Sequence, residues 1–92
     1  MASLRETIKK FDSASRILAS SNKLLKDRLN EAIMEVASLE EKDFNPDLRK
    51  TFQQVVENIR TYHEHVERSD TQSATALSIL NMCIMLHRET WE

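Results

Sequence analysis

The chain contains no glycine and a single proline, Pro46. Tight hairpins draw on glycine for positive backbone angles, so a chain without any is poorly suited to strand-and-turn architectures. The same absence removes every phosphate cradle and dinucleotide fingerprint written in glycines. Helices need no such residue. The sequence is rich in Leu, Ala, Glu, Lys, Arg, Gln and Met, which propagate helix well, and an all-α fold follows.

The sharpest internal boundary is Asp43-Phe44-Asn45-Pro46-Asp47. Asn45 is a good N-cap, Pro46 stands where a helix best tolerates proline, and Asp47 sits in the first turn, where the helix dipole favours a carboxylate. Residues before a proline avoid helical angles, so the preceding helix ends by about Lys42. After the boundary, Leu48, Phe52, Val55, Ile59, Tyr62 and Val66 recur at alternating steps of four and three, a one-sided stripe closing near Arg68. Ser69, Asp70 or Thr71 then caps a last helix, and the short connection implies an antiparallel neighbour.

That last helix, about residues 71–90, is apolar around most of its circumference: Leu77, Ile79, Leu80, Met82, Cys83, Ile84, Met85 and Leu86, interrupted by Asn81. A helix apolar all round must be central to its bundle or face another chain. The candidate core is Phe52, Ile59, Tyr62, Leu77, Leu80 and Ile84.

The first 42 residues admit two readings. Leu4, Phe11, Leu18, Leu25, Ala32 and Leu39 repeat every seven residues, with Ile8, Ser15, Asn22, Leu29 and Val36 between them. The unbroken phase favours one helix of about 60 Å. Cap-forming residues at Ser20-Ser21-Asn22 favour a break and a four-helix up-down-up-down bundle. Lys23 and Lys26 would then fall in a first turn that disfavours cations. The expectation is therefore a single antiparallel helical bundle over residues 1–92, with helices at about 4–42, 46–68 and 71–90. Its long N-terminal helix is joined by a two-helix hairpin.

A hairpin half the length of that helix leaves Leu4, Ile8, Phe11 and Leu18 seeking cover, with polar Ser15 and Asn22 in the seam to fix register. A two-fold homodimer is the simplest partner, another protein the next. On this reading Phe11→Asp makes a monomer whose hairpin stays helical, whereas Ile84→Asp unfolds the chain.

The formal charge is −2. It divides into +4 over residues 1–30 and −6 over residues 31–92, so the two halves attract within one bundle or between copies. Arg5, Lys9, Arg16 and Lys23, flanked by Lys26, form a basic row able to follow a phosphate backbone or an anionic surface. The acidic balance makes a nucleic-acid or anionic-surface binder the alternative and not the main reading.

Chemistry-bearing pairs are sparse. Cys83 and His87 share a helix face at i, i+4, but zinc needs a third protein ligand and a cysteine nucleophile needs an oxyanion site. His63 and Glu67 share the same spacing; His65 points elsewhere, and Glu64 and Glu67 lack the histidine three residues on that di-iron helices carry. Neither group makes a catalytic or metal site by itself, and neither a cofactor nor a small-molecule substrate is implied. Trp91 caps a core or contacts a partner.

The one cysteine excludes an internal disulfide and suits a reducing cytoplasm. No apolar run is long enough to span a bilayer, and Glu6 and Asp12 count against a mitochondrial presequence. The expected function is a non-enzymatic, self-associating helical interaction module: an adaptor, chaperone or assembly factor.

Overall fold

The computed structural model describes residues 3–20 and 23–90. Its helices are α1 (Leu4–Ala19), α2 (Leu25–Val36), α3 (Pro46–Glu64) and α4 (Ser69–Thr90), with a 3-10 turn at Glu41–Asp43. No strand occurs among the described residues, and the protein is an all-α helical bundle. No described helix is long and apolar enough to cross a membrane.

The continuous N-terminal helix is not observed. α1 stops at Ala19 and α2 starts at Leu25, so the four-helix alternative describes the chain. The largest dimension is 37 Å, too short for a helix of about 60 Å. Three contacts hold the fold-back. The Ser20 amide donates to the Ile17 carbonyl at 3.1 Å. Arg28 Nη1 donates to the Leu18 carbonyl at 2.6 Å, placing a cation where the α1 dipole is negative. Lys23 pairs with Glu31. The cationic objection to a break does not arise, because Lys23 lies outside the α2 helix and Lys26 pairs with Glu67 at 2.8 Å. α2 begins without a side-chain cap at Leu24.

α1 and α3 are capped as residue chemistry dictates, whereas α4 opens at Ser69, so Ser69, Asp70 and Thr71 lie in its first turn and not ahead of it. Ser3 Oγ accepts from the Glu6 amide at 3.1 Å and Asn45 Oδ1 from the Leu48 amide at 3.0 Å, with Pro46 opening α3. α3 ends at Glu64, short of residue 68; there the His65 amide reaches the Thr61 and Tyr62 carbonyls.

α1 packs on α2, α3 on α4, and α1 on α4. Polar ties fix the antiparallel register: Lys10 Nζ to Ser38 Oγ at 2.7 Å, Thr75 Oγ1 to the Asn58 carbonyl at 3.0 Å, and Tyr62 Oη to Asn30 Oδ1 at 2.7 Å. One apolar cluster runs through all four helices. At its centre Phe44 stacks on Phe52 at 4.4 Å and meets the edge of Phe11 at 6.4 Å.

Candidate functional site

The break inverts the expected division between sticky surface and core. Phe11 and Leu18, assigned to an intermolecular seam, are buried by the protein's own helices, at 0% and 6% exposure. Ile8 is half-buried against the core, and Leu4 keeps 43% of its surface. Ser15 is half-buried. Asn22 and Trp91 lie outside the described residues. Folding back thus hides Phe11 and Leu18 within one chain, and the α1 stripe no longer needs a second copy to cover it.

Of the six positions assigned to the core, Phe52 and Tyr62 are buried, and Ile59 and Leu80 pack partly against the cluster. Leu77 and Ile84 do not belong there: they are 66% and 56% exposed. The reason is geometric. α4 packs against α3 and α1 and touches α2, so it is the helix that meets all the others, as its apolar circumference led one to expect. These neighbours nevertheless cover only part of it, and one face looks outward. At 100° per residue, Ser73, Leu77, Leu80, Ile84 and His87 fall on that face at steps of four, three, four, three. This is the spacing of a helix-pairing seam. Met34, Leu24 and Val56 are also exposed, but they lie apart on other elements, as single surface apolar residues commonly do.

Between this face and α1 runs an open, mainly apolar groove of about 540 Å³, lined by Ser15, Leu80, Cys83, Ile84, His87 and Arg88. Along its wall the antiparallel packing sets Asp12 of α1 against Cys83 and His87 of α4. The Cys83 thiol donates to Asp12 Oδ1 at 3.2 Å, and His87 Nε2 lies 2.7 Å from the same oxygen. The His87 hydrogen bond holds the Asp12 carboxyl below the usual carboxylate range. Burial pushes the Cys83 thiol above its ordinary value, so the sulfur carries its proton at neutral pH.

Asp12 was not legible as a member of this group. It stands 71 residues from Cys83, and only the fold-back of α1 brings the two together. Among the described residues, Asp12, Cys83 and His87 form the one cluster of three metal-ligating types, with ligand atoms all within 4.8 Å of one another.

The other pairs do not converge. α3 ends before His63 and Glu67 can share a helix face, and Glu67 is engaged with Lys26. The basic row is shortened as well. Arg5, Lys9 and Arg16 remain exposed on α1, but Lys23 is off the helix and paired with Glu31.

No protein-family model, curated protein or solved structure matches the chain.

Proposed function

We propose that the protein is a non-enzymatic helical interaction module that self-associates through the exposed face of α4 and works as an adaptor or assembly factor. One observation carries this reading: a helix apolar around most of its circumference has Leu77 and Ile84 more than half exposed. Exposed apolar surface of this continuity is costly unless something covers it.

A second copy is the occupant that fits. In an antiparallel α4–α4 pairing centred between Leu80 and Asn81, Leu77 of each chain meets Ile84 of the other. Small Ser73 and Ala74 make room for His87 and Arg88, and Arg88 comes within a turn of Asp70 on the second copy. Such an isologous contact closes on itself as a dimer. Its strength is bounded by size. The 22 residues of α4 present a face about 33 Å long and roughly 10 Å wide, less than half of the about 800 Å² per partner typical of a stable complex. With the rim of α1 added, a reversible dimer in the micromolar range is expected, as suits a module that exchanges partners.

Sedimentation equilibrium across the micromolar range tests this. The wild-type chain should shift from monomer to dimer with concentration, and Ile84→Asp should stay monomeric with unchanged helicity. A wild type that remains monomeric at the highest concentration, or an Ile84→Asp variant that still dimerises, refutes the proposal.

A further inference from the structure

Two protons converge on one carboxylate oxygen where α1 meets α4, from the Cys83 thiol at 3.2 Å and from His87 Nε2 at 2.7 Å. A sulfur, an imidazole nitrogen and a carboxylate oxygen around one point are the donor types that zinc selects. From Zn–S of about 2.3 Å and Zn–N and Zn–O of about 2.0 Å, tetrahedral ligation sets the donor atoms about 3.3–3.6 Å apart. The Asp12–Cys83 and Asp12–His87 separations need open by only about 0.3–0.6 Å to reach those spacings, within the reach of side-chain torsions on two packed helices. We infer that Asp12 Oδ1, Cys83 Sγ and His87 Nε2 form a zinc-binding site with its fourth position open toward the groove.

Two further features fit that assignment. Cys83 and His87 stand at i, i+4 on α4 and Asp12 comes from α1, so an ion joins the two helices at a second kind of tie. The Ser15 hydroxyl lies on the same groove wall and hydrogen-bonds the Cys83 sulfur, a donor of the kind that steadies a metal-bound thiolate. On binding, the thiol gives its proton to solvent as sulfur bonds to the metal. The imidazole gives up its Nε2 proton and takes one at Nδ1 through solvent, binding as the neutral Nδ1–H tautomer. All three ligands come from one chain, so the site needs no second copy. Because His87 also borders the α4 pairing face, zinc binding is measured on protein dilute enough to be monomeric, where its failure is distinguishable from that of self-association.

The test is titration of the protein with Zn²⁺ alone by calorimetry, and with Co²⁺ as a spectroscopic substitute. The expected result is one equivalent of Zn²⁺ with release of a proton, and thiolate-to-cobalt charge-transfer absorption that disappears in Cys83→Ser. Losing a group that merely orients a ligand already weakens metal sites about 10–100-fold, so Asp12→Asn and His87→Gln should each weaken binding at least tenfold. A His63→Gln, His65→Gln double variant should bind like wild type. His87 is exposed, so His87→Gln keeps the bundle intact and decides the matter even if Cys83→Ser folds poorly. Absence of the charge-transfer band, or zinc affinity indifferent to His87→Gln, overturns the site and leaves a hydrogen-bonded staple between α1 and α4.

Discussion

Phe11 and Ile84 exchange roles between the expected and the observed architecture, and alanine at each position separates the two. Phe11 is fully buried with its ring edge against Phe44, so Phe11→Ala removes a complete aromatic side chain from a close-packed centre. Changes of that kind cost about 3–5 kcal/mol. Ile84 keeps more than half of its surface in the monomer. A fully buried Ile→Ala costs about 2–5 kcal/mol, and a side chain less than half covered should lose about 1. Total stability for a chain of this length is about 5–14 kcal/mol, so the first change removes a large fraction and the second a small one. In urea, with a slope of about 1–1.5 kcal/mol per molar, the midpoint should fall by about 2–5 M for Phe11→Ala and by no more than about 1 M for Ile84→Ala. Circular dichroism on samples dilute enough to be monomeric reads both. Should Phe11→Ala prove too unstable to fold, Phe11→Leu offers a milder probe, costing under about 1.5 kcal/mol. Equal midpoints for the two alanine variants, or a larger loss at Ile84, would sink the claim that α1 folds back onto the bundle.

Tyr62 is the only tyrosine, so ultraviolet absorbance follows its ionisation without interference from another phenol. Burial raises its pKa above the ordinary value of 10.0; the folded state favours the neutral phenol, so this contribution to stability is intact below pH 10 and is lost as pH rises through the folded value. Phenolate formation should therefore lag behind that of a tyrosine in a short peptide and coincide with loss of helicity. A midpoint at or below the peptide value contradicts the packing of Tyr62 against α2. At the start of α3, Asn45→Ala removes the cap on the Leu48 amide at a cost of about 1 kcal/mol, lowering Tm by about 4–8 °C. Asn45→Asp should restore it, and an unchanged melting curve for Asn45→Ala would show that Pro46 alone sets the start.

Local signals in the sequence translated well into structure because their physics is local. Asn45, Pro46 and Asp47 mark a helix start whatever lies around them, and the stripe from Leu48 to Val66 assigns its inner face by period alone. Two matters were not local. A seven-residue phase running from Leu4 to Leu39 reads as one helix, yet two short helices folded together also turn Phe11, Leu18 and Ala32 toward a shared core. The phase thus carries no information about the bend between Ser20 and Leu24. α4 presented the opposite difficulty. Apolar nearly all round, it has no face that periodicity can pick out as outward, and only the placement of α1 and α3 leaves Leu77 and Ile84 in the open. Asp12 read as a charge on a basic helix until its helix had a neighbour.

The bend decides more than helix count. Burying Phe11 and Leu18 completely is worth roughly 1.5–3 kcal/mol each. Interrupting the helix forgoes about four backbone hydrogen bonds worth a net 0.5–1.5 kcal/mol apiece, by rough estimate. Those terms nearly balance, so the choice falls to contacts that no helical period encodes. The Arg28 side chain satisfies the Leu18 carbonyl, the Ser20 amide satisfies Ile17, and α1 gains the whole flank of α4. The last contact has two effects at once. It removes Phe11 and Leu18 from the surface, leaving α4 as the principal exposed apolar row, and it delivers a carboxylate to Cys83 and His87. Association through α4 and metal binding beside it are thus both consequences of where α1 comes to rest. A chain with the same composition and a straight N-terminal helix would have neither in this form: its stickiness would lie along Leu4 to Leu18, and its Cys-His pair would lack a third ligand.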